Sequence, residues 1–250
     1  MQGERAEGRQ VIRVGGADRR DFLQGLVTND VAGVESGLVY AALLTPQGKY
    51  LADFFLFGRD GALWLDTAEQ LALGLMQRLG MYRLRADVTL EPASMAVARG
   101  IGPAPDGGFA DPRHPDLGWR AYGVEGGPPV VDWDALRVAH VVPETGVELI
   151  PNETYPLEAG LDRLAGVDFR KGCYVGQEVT ARMKHKTELK KGLTRVRITG
   201  AADPGTPIRA GEREIGTLHT RSGDAAIAWL RFDRAADGMT AGDARVTWPA

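Results

Sequence analysis

Two apolar runs, Leu38 to Leu44 and Tyr50 to Phe57, stand on either side of Thr45-Pro46-Gln47-Gly48. Proline at the second position of a four-residue turn and glycine at its fourth tie the runs into a β-hairpin. A hairpin is an antiparallel commitment, and what surrounds it is mixed. Val11 to Val14 reads as a strand. Asp18 is placed to cap a helix through Gly25, with Phe22, Leu23 and Leu26 on one face, and Thr28-Asn29-Asp30 turns the chain. Ala62 to Asp66 is a further strand. Thr67 is placed to cap a helix to about Tyr82, with Leu71, Leu75, Met76 and Leu79 at helical spacing, and Asp87 to Glu91 is the next strand. Strand, helix, three strands, helix, strand is an α+β order, not a parallel βαβ one.

Further on, Ser94 to Ala98 and Trp119 to Tyr122 read as strands. Asp132 to Ala139 reads as a short helix, and Pro156 to Leu164 as a second helical segment. After Gly192 come five short strands between glycine turns: Leu193 to Ile198, Pro207 to Ala210, Glu214 to Thr220, Ala225 to Leu230 and Ala244 to Trp248. They predict a small C-terminal β-barrel. The expected organisation is an α+β module over 1–92, a second over 93–189, and the barrel over 190–250.

The formal net charge is −3, which asks for neither nucleic acid nor a membrane as partner. No apolar window is long enough to span a bilayer. The polar stretch Met1 to Gln10 has no apolar core, so a short disordered lead and a cytoplasmic location are expected. The single cysteine cannot form an internal disulfide or hold an iron–sulfur cluster alone. The four histidines lack metal-ligand spacing, so no metal site is expected.

The chain has six lysines, and five of them (Lys171, Lys184, Lys186, Lys190 and Lys191) fall within 21 residues. The basic stretch from Arg182 to Arg197 reads either as a partner surface or as a solvated linker into the barrel. It lacks the interleaved aromatics of an RNA platform. The cysteine itself sits in Phe169-Arg170-Lys171-Gly172-Cys173-Tyr174-Val175-Gly176-Gln177-Glu178. Glycines bracket it, so the backbone can turn tightly or approach a ligand. In an extended segment Lys171 and Cys173 share a face, and Arg170 and Lys171 would favour the thiolate. Gln177 and Glu178 add an amide and a carboxylate. The plain alternative is a small buried hydrophobe.

The run FRKGCYVGQEVTAR (169–182) resembles the signature of the YgfZ family of folate-binding proteins. These are relatives of the glycine-cleavage T-protein and include mitochondrial proteins that help mature 4Fe–4S enzymes. DFLQGLVTND (21–30), YAALLTPQGKYLADFFLF (40–57), YRLRADV (82–88), DPRHPDLGWR (111–120) and IPNETYPLEAGL (150–161) also look like the family, so the likeness covers nearly the whole chain. It implies α+β modules around a central cavity beside a C-terminal barrel. It also implies tetrahydrofolate or a derivative in that cavity, and support of iron–sulfur cluster assembly or repair and, through it, of tRNA modification. Carried over by residue, the functional group is Cys173, with Lys171 beside it. Gly172, Tyr174, Gly176, Gln177 and Glu178 support them, and Asn29, Tyr40, Asp53, Arg83 and Arg182 are implied folate contacts. The implied partners are folate and iron–sulfur assembly or client proteins.

Two positions depart from the T-protein pattern. Its paired aspartates are Ala52 and Asp53 here, and its LRLE run is Leu136-Arg137-Val138-Ala139. Both departures count against aminomethyl transfer, the second reading; an RNA-binding protein is the third.

Overall fold

The computed structural model describes residues 3–186 and 188–249. Met1, Gln2, Thr187 and Ala250, which the expected lead, basic stretch and barrel include, lie outside the described residues. Contacts divide the chain into two compact units, 1–131 with 162–179, and 132–161 with 180–250. The boundaries drawn from sequence cut the chain differently. They follow breaks in local pattern, whereas the segment 162–179 pairs with residues more than a hundred positions earlier.

The first unit holds β1 (Glu4–Arg5), β2 (Arg9–Gly15), α1 (Arg19–Gln24), β3 (Val39–Leu44), β4 (Tyr50–Arg59), β5 (Ala62–Ala68), α2 (Glu69–Arg83), β6 (Thr89–Ala93), β7 (Val97–Gly100), β8 (Phe109–Ala110) and β9 (Trp119–Tyr122). The lead expected to be disordered forms β1 and the start of β2 from Glu4 onward. Glu4 is buried, and its carboxylate accepts hydrogen bonds from the backbone N–H groups of Val130 and Val131. One sheet runs β3-β4-β5-β2-β6, entirely antiparallel, and a second runs β1-β7-β9-β8.

Strand alternation gives the five-stranded sheet two different faces. Ile12, Val14, Val39, Ala41, Leu43, Ala52, Phe54, Leu56, Leu63 and Leu65 pack with Leu23 of α1 and Leu75 and Leu79 of α2. Tyr40, Asp53, Phe55, Phe57 and Asp66 alternate with these residues. Both sets are buried, which is why β4 reads as a continuous apolar run. Two helix starts differ from expectation. Asp18 makes no capping bond, because its carboxylate accepts from the Asp87 backbone N–H at 2.8 Å. Thr67 belongs to β5, where its hydroxyl donates to the Asp53 carbonyl at 2.9 Å, and α2 begins two residues later.

The second unit holds α3 (Trp133–His140), most of α4 (Gln177–Lys186), and β10 (Lys191–Thr199), β11 (Pro207–Ala210), β12 (Arg213–Ser222), β13 (Ala225–Arg231), β14 (Met239–Ala241) and β15 (Ala244–Thr247). The six strands close into a barrel ordered β10-β13-β12-β11-β14-β15, and β10 pairs back to β15. The strand not foreseen, β14, has three residues between Gly238 and Gly242, both at positive φ, too short to show alternation. Asp132 caps α3 by accepting from the Ala135 N–H at 2.9 Å.

Residues 156–164 are turns rather than a helix. Pro156 and its neighbours form single turns, and the chain then turns through positive φ at Gly160 and Ala165. Arg137, in the run that departs from the T-protein pattern, is a staple. It donates to the Val142 carbonyl, Asp134, Glu148 and the Thr220 hydroxyl, while Glu148 accepts from the Thr220 hydroxyl at 2.5 Å.

Candidate functional site

The cysteine loop is held in the first unit by bonds that its own sequence does not announce. Thr28 donates its hydroxyl to the Gly166 carbonyl at 2.6 Å and accepts from the Ala42 N–H at 2.8 Å. The Asp168 N–H donates to the Thr28 carbonyl at 3.0 Å. Three residues on, Lys171 turns inward. Its ammonium donates to the carbonyl of Gln24, the last residue of α1, at 2.8 Å and to that of Val27, just past the helix end, at 2.5 Å. It also lies 5.1 Å from the centroid of the Tyr174 ring, and Tyr174 is itself buried. Burial pulls the Lys171 pKa down to about 8, against the opposing charges of Asp30 and Asp168.

Gly176 closes the loop at φ +84, where an added Cβ would sit 2.5 Å from the Thr45 carbonyl oxygen in the hairpin turn. Across from it, Gly48 at φ +76 leaves the room that Val179 fills. Only glycine fits this double approach. Gln177 and the exposed Glu178 then open α4.

Between these anchors Gly172 and Cys173 are exposed. The expectation that Lys171 and Cys173 share a face is therefore corrected. The segment is irregular backbone between turns at 169–170 and 175–176, not a strand, and the buried ammonium is committed to backbone carbonyls. Nor is Cys173 the small buried hydrophobe of the plain alternative.

The second cluster lies on the polar face of the five-stranded sheet. The register sets Tyr40 beside Phe55, Phe55 beside Asp66, and Ala42 beside Asp53. Asp53 accepts from the hydroxyls of Tyr40 at 3.0 Å and Tyr50 at 2.7 Å. It is 8% exposed and so is shielded from solvent. Burial, then the Asp53 charge, push the Tyr40 hydroxyl well above its ordinary pKa.

Next to it, Asp66 accepts from Arg9 at 2.7 Å, Tyr122 at 3.0 Å and Arg120 at 3.4 Å. Arg113 holds Asp111 through two bonds, at 3.0 and 2.7 Å. Burial alone would raise the Asp111 carboxyl, but Arg113 and Arg120 outweigh it and hold it low. The guanidinium carbons of Arg9, Arg113 and Arg120 stand 5.9, 4.8 and 4.1 Å from the Phe55 ring centroid.

Of the implied folate contacts, the fold brings three together. Tyr40 bonds Asp53, and the Asn29 amide donates to the Tyr40 carbonyl at 2.8 Å and the Ala165 carbonyl at 2.6 Å. Arg83 does not join them. It is exposed at the end of α2, the helix that covers the opposite face of the sheet. Arg182 is an exposed residue of α4 in the second unit.

Sequence reasoning missed Tyr50, Asp66, Asp111, Arg113 and Arg120. The signal for three of them was present, because DPRHPDLGWR supplies Asp111, Arg113 and Arg120. Ala52 points into the apolar core beside Phe54. A carboxylate there would sit on the other face from Asp53, so alanine at 52 does not deplete the Asp53 cluster.

The donor set suits a pterin. It places a buried carboxylate, Asp53, among buried aromatic side chains that include Tyr40 and Phe55.

Over residues 190–250 the chain matches the family model described as CAF17, C-terminal beta-barrel domain. It is 32% identical to the mitochondrial iron–sulfur cluster assembly factor IBA57 of Mus musculus, across 92% of this chain and 77% of that protein. The Homo sapiens counterpart is 31% identical across 90% and 76%. The chain belongs to the IBA57 family. The YgfZ likeness thus resolves to a more specific relative within the same group. Among solved structures, the glycine cleavage system aminomethyltransferase T from Bartonella henselae superposes with a TM-score of 0.72 over 96% of this chain and 82% of that one, at 14% identity. The T-protein-like α+β fold with its added barrel is therefore as expected. The cytoplasmic location is not, since the IBA57 relatives are named as mitochondrial proteins. That expectation rested on the lack of a visible targeting signal, and such a lack carries no address.

Proposed function

We propose that this protein supports the assembly or repair of iron–sulfur clusters as a folate-binding accessory factor, with Cys173 as the reacting group. The observation that carries the reading is an exposed thiol on a rigidly anchored loop. Lys171 fixes one side of it to the end of α1 and Gly176 fixes the other to the hairpin turn. A single exposed cysteine fits transient cluster ligation or disulfide exchange with a client. Tetrahydrofolate or a derivative is the proposed ligand of the Asp53 cluster, with Tyr40, Tyr50 and Asn29 fixing the carboxylate and its surroundings. Asp53 would be the anionic group nearest the ring, and the neighbouring arginines would favour the folate's carboxylates. Partners are then cluster-assembly or client proteins and, downstream, the cluster enzymes that modify tRNA. Likeness to an aminomethyltransferase is a likeness of fold, and chemistry does not travel with fold.

Cells carrying Cys173→Ala in place of the native gene should lose activity of 4Fe–4S enzymes, while total protein stays constant. Full activity in that strain sinks the role of the thiol. Titration of the purified protein with tetrahydrofolate, followed by calorimetry, should show binding that Asp53→Asn weakens about tenfold or more. No heat from the native protein removes folate from the proposal and leaves the thiol reading standing.

A further inference from the structure

The outer wall of the barrel differs from side to side. Val196, Ile198, Met239, Ala241, Ala244 and Val246 belong to the barrel core. Strand alternation therefore turns Arg195, Arg197 and Thr199 of β10, Thr240 of β14, and Arg245 and Thr247 of β15 outward. All six are exposed. On the other side α3 packs mainly over β12 and β13. Ile227 of β13, outward by the same alternation, is fully buried there.

The register on the open side sets arginine against threonine. Arg197 lies opposite Thr247, and Arg245 lies between Thr199 and Thr240. The diagonal pair Arg197 and Arg245 is about 7 to 8 Å apart, and Arg195 stands about 7 Å along β10 from Arg197. Among the described residues none of these three guanidinium groups has a hydrogen bond or ion pair. Strands β10, β14 and β15 contain no acidic residue. Asp224 and Asp243 stand in turns beside them, and neither pairs with these arginines. Arg209 continues the row beyond Thr240, but it already pairs with Glu214 at 3.8 Å. An ordinary surface intersperses both signs. Here residues 190–250 carry ten lysines and arginines against seven acids, whereas the whole chain carries 30 against 33. The charge balance reverses in the barrel, and its unpaired cations gather on one strand pair.

A guanidinium fork takes a carboxylate through two parallel N–H bonds, and a threonine hydroxyl beside it adds a donor. In an extended chain alternate side chains fall on one side about 7 Å apart, which matches Arg195 and Arg197. Lipid and stacked bases fit less well. Among its described residues the barrel exposes no large apolar side chain to bury in a bilayer. Its tryptophan rings are engaged: Trp248 donates to Thr194 and stacks on Phe232, and Trp229 carries the Lys191 ammonium at 5.2 Å.

We propose that Arg195, Arg197 and Arg245 form a docking surface for an acidic segment of a partner protein. This rests on the reading of the chain as an accessory factor, and it names the chemistry by which a cluster-assembly or client protein is recognised.

A fluorescein-labelled peptide of alternating glutamate and serine, followed by anisotropy with the full chain, should bind. The binding should weaken about tenfold or more as salt rises from about 20 to 200 mM. Arg197→Glu with Arg245→Glu should weaken it about tenfold or more. Arg221→Glu with Arg234→Glu, the same charge change elsewhere on the barrel, should leave it within about twofold. Both pairs should melt like the native protein. A short RNA duplex and anionic phospholipid vesicles should bind more weakly than the peptide at equal ionic strength. No binding of the peptide, equal loss in the two double variants, or tighter binding of RNA or vesicles overturns the proposal. In cells where Cys173→Ala abolishes 4Fe–4S enzyme activity, Arg197→Glu with Arg245→Glu should lower that activity, and full activity there also overturns it. The peptide assay involves neither the thiol nor folate, so its failure is distinct from failure of the Cys173 reading.

Discussion

The polar face of the five-stranded sheet and the cysteine loop lie in one unit and treat charge in opposite ways. On the sheet face, the buried Arg120 and the half-buried Arg9 and Arg113 meet three buried aspartates and three buried tyrosines. Their pairing is nearly complete. The Nε of Arg120 lacks a hydrogen bond, but it stands 3.6 Å from the Asp111 carboxylate. In the loop, one cation is buried on carbonyls that a helix end left over, and the thiol two residues on is left in solvent. The first region ties side chains together and is sensitive to loss of any partner. The second uses its anchors to present one group that the fold itself does not need. Stability and function should therefore separate between them.

The largest effect belongs to the sheet face. Asp66→Ala removes the buried carboxylate that Arg9, Arg120 and Tyr122 share and should cost ~3–5 kcal/mol in urea unfolding. A loss below about 1 kcal/mol would mean the network is solvated and the contrast is false. Lys171→Met comes next, at about 1–3 kcal/mol for two carbonyls losing a charged donor.

The same substitution has a pH signature. The folded pKa of Lys171, about 8, lies below the ordinary lysine value of about 10.4. Between these two values the unfolded chain holds the extra proton, so this group adds stability as pH rises from about 8 to 10.4, and that addition is lost as pH falls back through 8. The stability difference between native protein and Lys171→Met should change across that window and be flat below it. A difference constant from pH 7 to 10.5 contradicts the buried ammonium.

Asp53→Asn keeps one acceptor for the two tyrosine hydroxyls and should cost about 1 kcal/mol, much less than Asp66→Ala. Smallest is Cys173→Ala, within about 0.5 kcal/mol of the native protein, although the proposed function depends on it. A strongly destabilised Cys173→Ala would make the cysteine structural and erase the comparison.

Several elements could be read directly. The hairpin around Thr45 to Gly48, the spacing of Leu75 and Leu79 on α2, and the barrel strands from Leu193 on follow from turn chemistry and periodicity, which act over a few residues. The same rules failed where a distant partner intervened. Asp18 gave up its cap for the Asp87 N–H, and Thr67 stayed in a strand to bond Asp53. The segment 156–164 has helical composition but only turns. In the site, the cysteine and its glycines were legible as a motif, while Tyr50 and Asp66 were not, because single polar residues within aromatic strands look like interruptions until a second sheet brings arginines to them.

The sequence alone thus determined that Gly172 and Gly176 bracket one thiol beside a lysine, that an antiparallel hairpin precedes it, and that a barrel ends the chain. Only the tertiary structure decided that the lysine goes in and the thiol goes out. The carbonyls that claim Lys171 belong to Gln24 and Val27, almost 150 residues earlier. A buried ammonium must satisfy its donors wherever acceptors are unpaired, and no local pattern records where a helix far up the chain has left them.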